Sequence, residues 1–167
     1  MKQAITKHNY EVQRSEPNLP IEGCNCRVNT PCPMDGNCLA KEVVYKAKVV
    51  DQDGAISTYT GLTGNTFKER YNSHTGSFRK RKKEHSTTLS THIWKLKDDQ
   101  KNFQIDWKII DRGKSFNPSN RKCNLCLREK YNIIFQPSGA SLNKRSELFS
   151  VCRHRCQQLL ANVWGRL

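Results

Sequence analysis

Apolar and polar residues alternate from Val43 to Val50, which is the pattern of a β-strand with one buried face. The turn sequence of residues 51–54 leads into a second short β pattern, residues 56–59, so the two segments predict a hairpin. A third alternation, residues 103–110, places four apolar side chains on one side, namely Phe103, Ile105, Trp107 and Ile109. The sequence therefore predicts a small sheet of three strands.

Helical spacing follows the second strand and then recurs twice. Gly61 and Gly64 are predicted to end the strand, because glycine tolerates a positive φ. From Thr66 onward, the spacing i, i+3, i+4, i+7 is occupied by Phe67, Arg70, Tyr71 and His74. The same spacing recurs at Leu89, His92, Ile93 and Leu96, and residues 123–135 form a third helix with Leu127, Tyr131 and Ile134 on its core side. The predicted class is α+β, a three-stranded antiparallel or mixed sheet flanked by helices.

The charge balance favours a polyanionic partner. The 167 residues include 29 basic and 15 acidic side chains, which gives a net charge of +14 and a pI near 9.6. Nucleic acid is the default partner of such a field, because each neutralised phosphate releases counterions. The basic run of residues 79–83 is open to three interpretations: a phosphate-contacting loop, a nuclear-import signal or a solvated tip. No stretch has the pattern of a membrane span or of a secretory signal, so we expect an intracellular protein without a membrane partner.

Eight cysteines in such a chain indicate thiols and metal ligands before disulfides. Four lie within fifteen residues, at Cys24, Cys26, Cys32 and Cys38, and could close a tetrahedral zinc site; labile disulfides or idle thiols are the alternative. Cys123 and Cys126 have zinc-knuckle spacing, and Cys152, His154 or Cys156 could complete that site from a last helix. Four protein ligands leave no open position, so both zinc ions would be structural.

Composition divides the chain into four parts. Residues 1–22 are polar and marked by proline, and are interpreted as a linker or the tail of an upstream region. The four closely spaced cysteines predict a zinc knuckle at 23–39, and the main domain is predicted at 42–160. Residues 161–167 form a C-terminal tail.

The strand and helix patterns bring together two tyrosines, an arginine and a histidine. One interpretation is that Arg70 and His74 lie at the edge of an apolar stripe and extend to water. The other comes from a resemblance to the GIY-YIG nuclease family. Val43-Val44-Tyr45 stands where the family has its first tripeptide and Tyr59-Thr60-Gly61 where it has its second, and Arg70 lies at the place of its catalytic arginine. Only the tyrosine of the first tripeptide is retained.

Further motifs resemble the endonuclease module of Penelope-like retroelements. They are the upstream Cys-x-Cys, the Cys-x2-Cys at Cys123, the run of residues 143–147 and Cys152-Arg153-His154. The resemblance implies a GIY-YIG-like endonuclease domain that hydrolyses DNA phosphodiester bonds, nicking target sites for retroelement integration in the nucleus. Its implied partners are DNA, element RNA and an upstream reverse transcriptase domain. The alternative is a catalytically inactive, zinc-containing nucleic-acid-binding module.

The resemblance also implies a role for each site residue. Glu129 would bind Mg²⁺ or Mn²⁺, although an intrahelical ion pair with Arg128 or Lys130 is the plainer interpretation. Arg70 would hold the phosphate, with Tyr45 or Tyr59 as general base and the other tyrosine orienting water or phosphate. A tyrosine base needs nearby positive charge, which Lys46, Lys48, Arg70 and the metal would supply. His74 would act as a hydrogen-bonding or proton-relay neighbour, Asn143 would brace the site, and His85 is a further candidate.

Overall fold

The computed structural model describes residues 23–27, 30–121, 123–136, 140–143 and 149–159. The predictions made for residues 1–22 and 161–167 lie outside these ranges. The elements in chain order are β1 (Val43–Asp51), β2 (Ile56–Thr63), α1 (Phe67–Arg79), a 3₁₀ helix (Arg81–Ser86), α2 (Thr88–Asp98), β3 (Phe103–Arg112), α3 (Asn124–Phe135), β4 (Phe149–Val151) and β5 (Gln157–Leu159). Among the described residues, no helix combines the length and the apolar character needed to cross a bilayer.

The first three strands form one antiparallel sheet in the order β2-β1-β3. Tyr45 in the central strand lies opposite Gly61 on β2 and opposite Ile109 on β3, and the register with β3 shifts between Val44 and Tyr45. The predicted α+β class is thus confirmed, with a three-stranded sheet that is antiparallel throughout. A separate antiparallel pair is formed by β4 and β5.

The turn between β1 and β2 forms as its sequence predicts. Gly54 has φ +78°, and the Asp51 carboxylate accepts hydrogen bonds from the backbone N–H groups of Asp53 and Ala55, both at 2.9 Å. The predicted break at Gly61 is wrong, since β2 continues to Thr63 and neither Gly61 nor Gly64 has a positive φ. Glycine at position 61 instead leaves room for the Tyr45 side chain, because a Cβ there would lie 2.5 Å from Tyr45 Oη.

One hydrophobic core lies between the sheet and helices α1 and α2. Its fully enclosed members include Tyr45, Phe67, Leu89 and Ile93. Both helices begin at threonine N-caps: Thr66 accepts from Glu69 N–H, and Thr87 accepts from Ser90 N–H. The four apolar residues of β3 pack on this core, as their alternation predicts.

The N-terminal cysteine segment belongs to this same core. Met34, Cys38 and Ala40 are buried in it, and the carbonyls of Ala40 and Cys38 accept hydrogen bonds from the N–H groups of Phe67 and Lys68, each at 2.8 Å. These two donors belong to the first turn of α1, whose N–H groups have no partner inside the helix. The segment that is predicted to be a zinc knuckle is therefore also the N-terminal anchor of α1.

Helix α3 buries Leu127, as predicted, together with residues that the predicted core side did not include. Its buried members are Leu125, Cys126, Leu127, Arg128, Asn132 and Ile133, whereas Tyr131 and Ile134 are only half-buried. The Asp111 carboxylate at the end of β3 pairs with Arg128 and accepts from Asn132 Nδ2 at 3.1 Å. The Arg128 side chain therefore joins α3 to the end of β3 through an ion pair with Asp111.

The last predicted helix is also corrected, because residues 149–159 form the β4–β5 hairpin. Its turn is closed by hydrogen bonds from Cys152 N–H to Cys156 O at 3.0 Å and from Arg155 N–H to Cys152 O at 2.8 Å. Arg155 has φ +61°, a conformation that a helix does not accommodate. This turn carries the C-terminal thiols and His154.

Candidate functional site

Tyr45, Arg70 and His74 form a hydrogen-bonded group at the centre of the core. Tyr45 Oη lies 2.7 Å from His74 Nε2 and accepts a hydrogen bond from Arg70 Nε at 2.8 Å. Arg70 also hydrogen-bonds the phenol of Tyr59. The helical spacing of Arg70 and His74 and the pairing of β1 with β2 place these four residues together. His74 is 2% exposed, so it does not extend to water.

The site keeps its aromatic groups neutral. Burial raises the pKa of both Tyr45 and Tyr59, and the positive charge of Arg70 only partly opposes this effect. Burial, together with Arg70, lowers the pKa of His74 to about 3. A neutral imidazole and a protonated phenol can share one proton between Tyr45 Oη and His74 Nε2.

The expected contribution of Lys46 and Lys48 to this environment is wrong. Successive side chains of a strand point to opposite faces, and Tyr45, Ala47 and Val49 face the core. Lys46 and Lys48 therefore lie on the other face of the sheet, where Lys48 is exposed. Arg70 is the basic side chain that contacts the phenols.

Glu129 from α3 lies against the β2 side of this group. Its carboxylate accepts a hydrogen bond from the Leu62 backbone N–H, and its charge acts on both Tyr45 and Tyr59. Burial raises the pKa of Glu129 to about 7, against the opposing charges of Arg153, Arg70 and Lys130. A half-buried carboxylate of this kind is suited to a divalent cation, because the cation offsets the cost of ionisation.

Asn143 holds the β2 edge. Its side chain accepts from Thr60 N–H and donates to Thr60 C=O, both at 2.8 Å, so it pairs with β2 as another strand would. Ser141 accepts from Thr58 N–H at 2.8 Å, and Leu142 N–H donates to Thr58 C=O at 2.9 Å. Residues 141–143 thus fix the part of the strand that carries Tyr59. Sequence reasoning missed Ser141, whose partner is 83 positions away.

The N-terminal thiols of Cys24, Cys26, Cys32 and Cys38 lie within 4.8 Å of one another and could hold a zinc ion. Cys38 Sγ is 3.6 Å from Cys26 Sγ and 3.5 Å from Cys24 Sγ. Burial acts to raise the pKa of Cys32, but hydrogen bonds from the backbone N–H groups of Met34 and Gly36 lower it to about 7. We call this group the first cluster.

The second cluster consists of Cys123, Cys126, Cys152 and His154, whose ligand atoms also lie within 4.8 Å of one another. His154 Nδ1 is 3.1 Å from Cys123 Sγ and 3.6 Å from Cys126 Sγ, and the His154 ring stacks on Phe116 at 4.7 Å. Cys156 lies outside the cluster and donates to Arg121 C=O at 3.0 Å. Of the three residues that the sequence offers to complete this site, Cys152 and His154 are thus the two that lie in the cluster, which could also hold a zinc ion.

The basic run of residues 79–83 covers the end of α1 and the start of the 3₁₀ helix, and all five side chains are exposed. Arg81 is paired with Asp98 and Glu84 and lies over the Trp94 ring at 5.0 Å. The four other cations of the run face water. His85, just beyond the run, is exposed, and its Nδ1 lies 3.5 Å from Thr91 Oγ1.

Comparison of the chain with protein-family models, curated proteins and solved structures gave no match. The functional argument therefore rests on the residues and their geometry.

Proposed function

We propose that the protein is a metal-dependent endonuclease that hydrolyses phosphodiester bonds of DNA. The observation that carries the proposal is the joint position of Arg70, Tyr45 and Tyr59 beside the Glu129 carboxylate. These side chains come from β1, β2, α1 and α3. Phosphodiester cleavage needs a cation ligand, a group that holds the phosphate oxygens and a proton acceptor, and this set contains one of each.

Each side chain has a role in the proposed reaction. Glu129 would hold Mg²⁺ or Mn²⁺, which when bound polarises the phosphate and stabilises the leaving oxygen. Arg70 holds the nonbridging oxygens, while Tyr45 and His74 fix its orientation. Tyr59 is the phenol with the larger exposed fraction, 9% against 0% for Tyr45. We therefore assign Tyr59 as the general base, with Tyr45 as the orienting tyrosine. Tyr59 would first lose its own proton to solvent, a loss that the positive charges of Arg70 and of a bound cation would favour, and its phenolate would then take the proton of the attacking water.

The finer proposal rests on the resemblance to Penelope-like elements. In it, the domain has the GIY-YIG fold and nicks nuclear DNA at the target sites of such an element, together with element RNA and a reverse transcriptase. The net charge of +14 and the exposed cations around Lys82 support a nucleic-acid partner. Zinc in both clusters would be structural, since all four positions of each site are taken by protein ligands.

The test is nicking of supercoiled plasmid by the purified protein with Mg²⁺ or Mn²⁺. We expect Arg70→Ala and Glu129→Ala to lower the rate by at least about 100-fold, because each removes a group that acts on the reacting phosphate. Glu69→Ala is the matched control, since Glu69 is an exposed acid in the first turn of α1, next to Arg70 in sequence. We expect it to cleave as the unmodified protein does.

Binding of plasmid without cleavage under any metal would reject the nuclease proposal. It would favour the inactive nucleic-acid-binding module, which shares the charge and the cysteine clusters. Nicking that survives Glu129→Ala would leave an endonuclease but reject Glu129 as its metal ligand.

A further inference from the structure

Arg153 lies in the β4–β5 turn between two members of the second cluster, Cys152 and His154. Both neighbours converge on Cys123 and Cys126 at the start of α3. A residue between two metal ligands has little conformational freedom once the metal is bound, because both flanking side chains are fixed. The position of Arg153 is therefore set by the cluster.

The cluster places this residue beside the candidate site. Cys126 and Glu129 are three residues apart on α3, so they occupy the same side of the helix. The turn that brings His154 to Cys126 consequently brings Arg153 toward Glu129. The charge of Arg153 acts on the Glu129 carboxylate more strongly than that of Arg70 or Lys130. Its side chain is exposed and accessible to a ligand.

A guanidinium at this edge complements the buried one. Arg70 is half-buried and already donates to Tyr45 and Tyr59. A DNA strand presents further phosphates on either side of the one that reacts, and the guanidinium fork matches the geometry of phosphate oxygens. Arg153 could reach such a neighbouring phosphate without displacing any contact of Arg70.

We propose that Arg153 is a phosphate-binding residue, held at the rim of the site by the second cluster, that binds the DNA backbone next to the phosphate held by Arg70. This inference rests on the proposed function. It adds a second function to the second cluster, which would position a substrate-binding arginine in addition to stabilising the fold.

The test compares Arg153→Gln with Arg155→Gln, which removes the same charge from an exposed arginine of the same turn. Binding of a short fluorescein-labelled DNA duplex is measured by fluorescence anisotropy in Ca²⁺ over a series of salt concentrations. We expect Arg153→Gln to raise Kd about tenfold and to lower the slope of log K against log salt by about 1. Arg155→Gln should change Kd no more than about twofold. Arg153→Lys should give an intermediate Kd with the slope retained, because lysine contacts phosphate as a point charge.

Equal Kd values and slopes for Arg153→Gln and Arg155→Gln would overturn the inference, since only general charge would then matter. Zinc content is measured for each variant. If Arg153→Gln loses metal, the Kd of Arg153→Lys decides whether Arg153 binds phosphate: an intermediate Kd supports the inference, and an unchanged Kd overturns it. Plasmid nicking is scored separately from binding. An unmodified protein that never nicks rejects the proposed function, whereas a nicking protein whose two glutamine variants bind alike rejects the role of Arg153 alone.

Discussion

The candidate site has two halves that are held in different ways. The α1 half, with Arg70 and His74, is buried in the main core, and the N-terminal cysteine segment, which carries the first cluster, anchors its helix through the carbonyls of Cys38 and Ala40. The α3 half, with Glu129, is attached to the rest of the protein by the Asp111–Arg128 ion pair and by the second cluster. The first half is therefore part of what makes the protein fold, while the second can be disturbed with less effect on the core.

The largest expected effect is a loss of stability, and it should be greater for a cysteine variant in the first cluster than for one in the second. Cys38 is fully enclosed in the main core, so Cys38→Ser should remove a zinc ligand, introduce a polar atom there and lower the free energy of unfolding by at least about 4 kcal/mol. Cys126→Ser should cost about 2 kcal/mol, because Cys126 is not among the residues of the main core. Urea denaturation followed by circular dichroism measures both, with zinc content determined in parallel.

Cys156→Ser is the matched control, because Cys156 lies outside the second cluster. We expect it to keep the zinc content and nearly the full stability of the unmodified protein. Equal losses for Cys38→Ser and Cys126→Ser would show that the two halves depend on their clusters to the same extent, contrary to the comparison above.

A smaller effect is expected from the carboxylate of the α3 half. The pKa of Glu129 is about 7 in the folded protein against 4.5 for an ordinary glutamate, so the folded state binds its proton more tightly. This contribution to stability is complete below pH 4.5 and is lost as the pH rises toward 7. Without added Mg²⁺ or Mn²⁺, Glu129→Gln should be more stable than the unmodified protein above pH 7, by about 2 kcal/mol.

Urea denaturation at a series of pH values measures this difference, which should decrease as the pH is lowered and vanish below about 4.5. Glu69→Gln serves as the control because that side chain is exposed. If the difference in stability between Glu129→Gln and the unmodified protein does not change with pH, burial does not raise the pKa of Glu129.

The smallest expected effect concerns the edge of β2. Asn143→Ala removes two hydrogen bonds to Thr60 and should cost about 1–2 kcal/mol. The specific readout is amide hydrogen exchange of Thr60, whose N–H donates to Asn143 and should lose protection. Asn72→Ala, at an exposed position of α1, should leave that exchange unchanged. Retained protection at Thr60 in Asn143→Ala would show that Asn143 does not brace the strand.

Local patterns predicted the α1 half well. The spacing of Phe67, Arg70, Tyr71 and His74 places them on one helix face, and alternation in β1 turns Tyr45 toward the core. The same alternation places Lys46 and Lys48 on the opposite face, so their assignment to the site was an error that the sequence could have prevented. The close approach of Tyr45 to Gly61 was not predictable, because it depends on the register between two strands.

The α3 half was less predictable because its contacts join distant segments. The burial of Arg128 follows from its pairing with Asp111, and no periodicity within α3 indicates it. The hairpin at 149–159 consists of two three-residue strands joined by the tight turn that carries Cys152 and His154. Strands this short have no recognisable alternation of apolar and polar residues, so the sequence does not indicate them. Spacing alone indicated the cysteines as candidate zinc ligands, whereas the fold was needed to group His154 and not Cys156 with them.

The second cluster also closes a loop. Its ligands at Cys126 and Cys152 flank the segment 140–143, which contains the hydrogen bonds from Asn143 to Thr60. Joining the ends of a chain segment reduces the number of conformations that it can adopt, so a later contact made from within the segment costs less entropy. Metal bound at the second cluster would therefore strengthen the attachment of Asn143 to β2 without touching either residue of that pair.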